Sequence, residues 1–381
     1  MPTFSLKPDV TARIVLSGGG TGGHLFPLVA VARQLAMKAA AQGRPLELHY
    51  VGPKPQAAST LTNEGVVTHF IFAGKLPRYY AWRLPWELVK LPISFVQTLV
   101  VLLKLMPDAV FAKGGYGSVP VALVAWLYRI PVFVHESDTI PGLANRIIAH
   151  VARRIAVAFP DAARFFRESK VTVTGNPLRR PLLEGSAARA REIFAIRTDK
   201  PILLILGGSQ GAEAINDLVV ASLRDLLIRY EVIHQVGEAT FERVSEEAKV
   251  EIGTGLETGY HARPFLSEAE LADAYAAASL IISRAGSGLF EIAALGKPAI
   301  LIPLPSAAQD HQRENAYAYA HTGAALILEQ GNLTPHLFAE RISSLLEHPE
   351  TTAQMDERAK AFAKIDADEK VAEEVWRLAV G

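Results

Sequence analysis

The sequence predicts an α/β protein made of two Rossmann-like domains, each built on a parallel sheet. Three observations predict it. Short β-branched runs alternate with helical patterns through most of the 381 residues, as parallel sheets covered by helices require. The same opening, an apolar strand, a glycine-rich turn and a helix, occurs twice, at Gly18 and at Gly207. Between them "GNPLRRPLLEGSAARAREIFAIRTDK" breaks the rhythm with prolines and charges and marks a join near Asn176–Lys200. Two domains, 1–175 and 176–359, suit the length.

In chain order, the first half offers strands at Arg13–Ser17, Leu46–Val51, Thr68–Phe72, Ala109–Ala112, Pro131–His135, Arg154–Ala158 and Val171–Thr174. Helices are read at Leu28–Ala41, Trp86–Met106, Pro120–Tyr128 and Leu143–Val151. The second half restarts with "PILLIL" and continues with strands at Val232–Gln235, Leu280–Ser283, Ala299–Pro303 and Ala325–Leu328. Two final helices, Thr351–Lys364 and Glu369–Val380, are charged on one side and could pack on either domain.

Composition narrows the function. Half the residues are hydrophobic, so a large core can form. Lys+Arg and Asp+Glu both number 39, so no global field recruits nucleic acid or a membrane, and any such attraction is local. With no cysteine there are no disulfides, thiolate metal sites or cysteine nucleophiles. The start, "MPTFSLKPDVTARIVL", lacks the pattern of a signal peptide. The most apolar stretch, Leu91–Met106, carries Gln97 and Lys104 and is too short to span a bilayer comfortably.

Glycine is tolerated where backbone must turn sharply or approach a ligand. "LSGGGTGGHLFP" puts Gly18, Gly19, Gly20, Thr21, Gly22 and Gly23 before His24. Gly18, Gly20 and Gly23 match G-x-G-x-x-G, but no acid ends the next strand to hold a dinucleotide ribose, since Glu47 sits at its start. A ligand-facing turn accounts for so many glycines better than a tight turn alone. The second turn, Gly207–Gly211, aims N–H groups and a helix start at a phosphate-sized target without a P-loop lysine. "SRAGSGLFE" sets Glu291 in a first helical turn, as a ribose acceptor or as a complement to the helix dipole. Asp310, His311, Gln312 and Asn315 stand at another strand-to-helix junction, as sugar readers or with Asp310 as an ordinary cap. "FAKGGYGSVP" and "VHESDTIPGLANR" follow apolar strands, so Gly115, Tyr116, Glu136 and Asp138 belong to the carboxyl edge of the first sheet. Glu136 and Asp138 form an acid pair there, or Asp138 and Asn145 shape a turn and cap a helix.

Taken together, SGGGTGGHLFP, KGGYGSVP, HESDTIPGLANR, LGGSQGAEAIN and SRAGSGLFEIAALGKPAILIPLP with DHQRENA closely resemble the MurG family of peptidoglycan N-acetylglucosaminyltransferases. The resemblance runs from about residue 13 to the C-terminus. It implies the GT-B fold, with two Rossmann-like domains facing across a cleft and a last helix, about 360–381, returning to the first domain. It implies inverting transfer of GlcNAc from UDP-GlcNAc to the muramyl 4-hydroxyl of lipid I, giving lipid II, with no cofactor and no metal. By motif position Glu291 resembles the ribose acid, Ser209, Gln210 and Arg179 the donor-side residues, and His311 and Gln312 the sugar readers. The stretch Gly18–His24 resembles the loop facing the diphosphate and the acceptor. His24 is the candidate base or phosphate-facing acid. Where the family usually reads H-E-[QS]-N this chain has Asp138, an acceptor that cannot donate as an amide does. The expected place of work is the cytoplasmic face of the plasma membrane, with cell-wall synthesis proteins as further partners. There Lys75, Arg78, Arg83, Lys90 and Lys104, interleaved with Tyr79, Tyr80, Trp82, Trp86 and Phe95, read as an anionic-membrane patch over residues 75–104. The plainer alternative is that Trp86–Met106 is a buried helix.

Overall fold

The computed structural model describes residues 10–55, 57–72, 84–208, 211–305 and 310–381, of which 84–89 by backbone alone. The chain divides into two compact units, residues 1–179 with 364–381 and residues 180–363. The first crossing falls inside the join read at Asn176–Lys200, four residues beyond the expected domain bound at 175.

The first unit contains strands β1 (Ala12–Ser17), β2 (Leu46–Gly52), β3 (Val67–Phe70), β4 (Ala109–Ala112), β5 (Val132–Glu136), β6 (Arg154–Val157) and β7 (Val171–Val173). Its helices are α1 (Gly22–Ala41), α2 (Ala58–Asn63), α3 (Leu84–Leu105), α4 (Ser118–Leu127) and α5 (Leu143–Val151). The strands pair in the order β3-β2-β1-β4-β5-β6-β7, each pair parallel. Parallel strands need a crossover between them, and helices covering both faces bury the strands completely. That is why "IVL" in β1 and "AVFA" in β4 are apolar without alternation.

The second unit contains α6 (Ala187–Ile193), β8 (Ile202–Leu206), α7 (Glu213–Arg229), β9 (Glu231–Gln235), α8 (Phe241–Ile252), β10 (Tyr260–Arg263), α9 (Glu268–Ala277) and β11 (Leu280–Ser283). It continues with α10 (Gly288–Ala294), β12 (Ala299–Leu301), α11 (His311–Ala320), β13 (Ala325–Ile327), α12 (Pro335–Leu346) and α13 (Pro349–Phe362). Its sheet runs β10-β9-β8-β11-β12-β13, again parallel. One core fills the space between this sheet, α7, α8 and α12, with Leu203, Ile205, Val219, Leu223, Val244 and Phe338 among its members.

The last helix, α14 (Ala367–Val380), belongs to the first unit. Val371, Val375, Trp376 and Ala379 share one face and join the core formed by β1, β4 and α1. Gln34 donates to Asp368 at 2.8 Å, Lys38 pairs with Glu373, and the Trp376 indole donates to Gln42 at 3.0 Å. Truncating a buried tryptophan costs about 3–5 kcal/mol, so this C-terminal segment is structural to the first unit.

Two differences from the sequence reading bear on the site. The first helix begins at Gly22, not Leu28, so His24 lies within its first turn. Pro27 lies inside the helix and deprives only the carbonyl of Gly23 of its helical donor. The strand β10 was not expected at all, because "YHAR" is polar; it is an edge strand. Its His261 is satisfied by Glu231 at 2.9 Å.

Candidate active site

At the carboxyl edge of the first sheet the chain leaves β1 at Ser17 and enters α1 through Thr21, an extended residue at the cap position. The Thr21 carbonyl accepts from the N–H groups of His24 at 3.0 Å and Leu25 at 3.1 Å. The Thr21 hydroxyl lies 2.9 Å from His24 Nδ1, which fixes the imidazole against the turn. The ring rests on Gly19, where a Cβ would sit 2.9 Å from Nδ1. Gly115 closes from the other side with φ +84°, and a Cβ there would fall 2.8 Å from Gly19 Cα and 3.5 Å from His24 Nε2. Gly19 and Gly115 are therefore glycine because imidazole and backbone occupy the space of a side chain. Gly20 is different: its nearest such neighbour is 3.7 Å away, so crowding does not require it. Tyr50, from β2, holds the turn from below by donating to the carbonyls of Gly18 and Pro53 at 3.1 and 2.8 Å.

The neighbouring strands bring Glu136, at the end of β5, and Asp138 to the same edge. Glu136 is buried and accepts from the backbone N–H of Asp138 at 2.9 Å, from that of Gly142 at 3.2 Å and from Asn145 Nδ2 at 2.8 Å. This corrects the capping alternative: α5 starts at Leu143 with Gly142 at the cap position and no side-chain cap, and Asn145 braces the loop through Glu136. Burial and the charge of Asp138 push the Glu136 carboxyl up to about 7. Tyr116 is half-buried on the Gly115 loop. Arg179, at the end of the unit, is buried with its guanidinium 3.9 Å from the centre of the Phe26 ring.

In the second unit Gly207 and Gly211 frame the other turn, while Ser209 and Gln210 lie outside the described residues. Gly211 has φ +76°, and a Cβ on it would stand 2.6 Å from the Val236 carbonyl. Neutral amides hold the turn. Gln235 donates to the Gly208 carbonyl at 3.1 Å, and Asn216 donates to Val236 O at 3.0 Å and to Thr240 Oγ1 at 3.1 Å. Glu291 sits in the first turn of α10 and accepts from the Tyr275 hydroxyl at 3.4 Å. Gln312 accepts from the backbone of Leu304 at 3.1 Å, and His311 opens α11 beside it. Asn315, buried in the same helix, donates to Ala285 O at 3.2 Å and so ties α11 to the turn that precedes Glu291. Asp310 is not an ordinary cap. Its φ is +58°, it makes no capping hydrogen bond, and its carboxylate lies 3.8 Å from Arg313.

Sequence reasoning passed over Tyr50, Lys113, His135 and Gln235. The signal for Lys113 was present: it follows a wholly apolar, buried strand directly, and lysine is almost never fully buried unless its charge is compensated.

Two family models match this chain. The model described as glycosyltransferase family 28 N-terminal domain covers residues 14–157, and that described as glycosyltransferase family 28 C-terminal domain covers residues 202–371. The chain belongs to glycosyltransferase family 28. It is 36% identical over 370 residues to the UDP-N-acetylglucosamine–N-acetylmuramyl-(pentapeptide) pyrophosphoryl-undecaprenol N-acetylglucosamine transferase of Thermodesulfovibrio yellowstonii, spanning 95% of this chain and 97% of that one. It is 37% identical over 354 residues to the transferase of the same name from Treponema pallidum, spanning 91% of this chain and 90% of the other. Among solved structures it is similar to Acinetobacter baumannii MurG, with 28% identity, a TM-score of 0.70, and coverage of 96% and 99% of the two chains. A UDP-GlcNAc 2-epimerase from Neisseria meningitidis shares the fold at a TM-score of 0.68 and 14% identity, with coverage of 96% and 100%. Family 28 membership and the GT-B relatives agree with two parallel-sheet domains, and they make the chain a hexosyltransferase.

Proposed function

We propose that this chain transfers GlcNAc from UDP-GlcNAc, with inversion, to the muramyl 4-hydroxyl of lipid I, forming lipid II for peptidoglycan synthesis. The observation that carries this reading is the near full-length likeness to transferases named for that reaction, which takes in both units at once. The geometry supports roles for single residues. His24 is the general base: with its Nδ1–H given to Thr21, Nε2 carries the lone pair that takes the acceptor proton as the hydroxyl attacks. The N–H groups of the Gly18–Gly23 turn serve the acceptor diphosphate, with Gly115 and Tyr116 beside them.

The second unit serves the donor. Glu291 accepts the ribose hydroxyls, and backbone donors of the Gly207–Gly211 turn, with Ser209 and Gln210, stabilise the departing diphosphate as its charge grows. His311 and Gln312 read the sugar. Asp138 positions the acceptor side through the loop that Glu136 braces.

Membrane contact falls to α3. Ile93, Val96, Val100 and Leu103 recur at helical spacing and each is 44–60% exposed, while Ser94, Thr98 and Leu102 on the opposite face are buried, so the helix is amphipathic and leaves an apolar stripe uncovered. Exposed apolar stripes of this kind mark interaction surfaces. Lys90 and Lys104 flank the stripe. Of the basic-aromatic stretch, residues 75–83 lie outside the described residues. No helix among the described residues is long and apolar enough to cross a membrane. We infer that the protein binds the anionic cytoplasmic leaflet peripherally through this face of α3, within reach of other cell-wall synthesis proteins.

The test is to incubate the protein with labelled UDP-GlcNAc and a short-chain lipid I analogue. A labelled disaccharide lipid formed in step with UDP release is the expected result. Epimerised or hydrolysed UDP-sugar beside an unchanged acceptor would overturn the reading.

A further inference from the structure

Lys113 follows β4 directly, and the register that pairs Ala112 with Val134 sets it beside His135. It is 1% exposed, and its Nζ has no hydrogen-bond partner among the described residues. An ammonium with neither water nor a partner is held only if its surroundings compensate the charge. Two carboxylates do so. Glu136 and Asp138 both favour the charged form of Lys113 against the desolvation that pulls it down. His135 adds no charge, because burial drives its imidazole well below the ordinary value. Its Nε2 donates to the Gly175 carbonyl at 2.8 Å.

The same cluster reaches the catalytic turn through packing. Glu136 holds Asn145 at 2.8 Å. The Asn145 amide lies where a side chain on Gly114 would go, 2.6 Å from such a Cβ. Gly114 leads into Gly115, which abuts Gly19 and the His24 ring. The pattern this chain resembles has an uncharged asparagine at position 138. Here an added negative charge stands beside an already buried carboxylate, and a buried positive charge sits within its field.

We propose that Lys113 is a positioning residue. Its ammonium neutralises the Glu136–Asp138 pair, allows an aspartate to stand at 138, and holds the Gly114–Gly115 loop against His24. The inference rests on the reading that this edge serves the acceptor.

A double-mutant cycle of Lys113→Met, Asp138→Asn and the pair tests it, read as kcat, KM, pH profile and thermal midpoint. Lys113→Met alone should lower kcat by about tenfold or more with KM little changed. It should also move the acid limb of the pH profile upward, because the buried Glu136 carboxylate beside Asp138, once uncompensated, holds its proton to higher pH. Asp138→Asn alone should change kcat only a few-fold. The pair should return to the level of Asp138→Asn, a coupling of about tenfold, and the thermal midpoints should show rescue of the same sign. A Lys113→Met variant that fails to fold beside a folded, active pair also supports the proposal. Single effects that simply multiply, a pH profile that does not move, or a pair that fails to fold would each overturn it. A wild-type chain without transferase activity would instead overturn the functional reading and leave the thermal cycle to decide the role of Lys113.

Discussion

The two glycine turns open the two units in the same way, yet different groups surround them. The first turn is ringed by groups that titrate or carry charge: the imidazole of His24 and, through Gly114 and Gly115, Lys113, Glu136 and Asp138. The second is held by the neutral amides of Gln235 and Asn216 and by the Thr240 hydroxyl. Even the nearby His234 is uncharged, since burial takes it down to about 3. One backbone device thus serves two tasks. A turn that must move a proton needs a group poised near neutrality, whereas a turn that must hold a diphosphate needs fixed dipoles whose charge does not change with pH.

The sharpest way to break this contrast is at His24. Replacing it with alanine should lower transfer kcat by about 10²–10⁴-fold, the usual worth of a general base, in steady-state assays with saturating acceptor. A variant that keeps near wild-type turnover would end the base role. The glycines come next. Gly115→Ala drives a Cβ to 2.8 Å from backbone at Gly19, so it should cost about 1–3 kcal/mol of stability and displace His24, lowering turnover as well. Gly208 has nearly the same φ, +79°, but nothing within 4 Å of its would-be Cβ. Gly208→Ala should therefore cost only the left-handed strain, about 1–2 kcal/mol of stability, without displacing His24. Thermal melts and initial rates on the two variants check the difference. The smallest effect is expected at the membrane. Val96→Glu with Val100→Glu should weaken co-sedimentation with anionic vesicles by about tenfold, the transfer value of an apolar side chain or two. Reversing Lys75, Arg78 and Arg83 to Glu should remove most of the salt dependence.

Much of this was legible in the sequence. Buried parallel strands announce themselves as unbroken apolar runs, and each expected strand lies within a residue or two of its observed bounds. Two of the misses, β10 and Lys113, share a physical cause: polar or charged groups compensated by groups distant in sequence. Tyr260–Arg263 is a strand because His261 and Tyr260 find Glu231 and His234 across it. Asp310 looked like a cap and is a left-handed residue beside Arg313. Lys113 sat in plain view inside "FAKGGYG", but only the register of β4 on β5 brings it to Glu136 and Asp138. Glycine spacing showed where backbone comes close to something. Whether that neighbour is a ligand, as the space at Gly20 permits, or the protein itself, as at Gly19, required coordinates.

The division of labour between the two turns is the central claim, and UDP titration calorimetry on wild type, His24→Ala and Glu291→Ala tests it most directly. Loss of a charged hydrogen-bond partner from the ribose should weaken UDP binding in Glu291→Ala by about 10–100-fold, some 1.5–3 kcal/mol. UDP binding to His24→Ala should stay within about twofold of wild type, because that residue acts on the acceptor proton. Unchanged UDP affinity in Glu291→Ala, or a collapse of UDP binding in His24→Ala, would contradict the account.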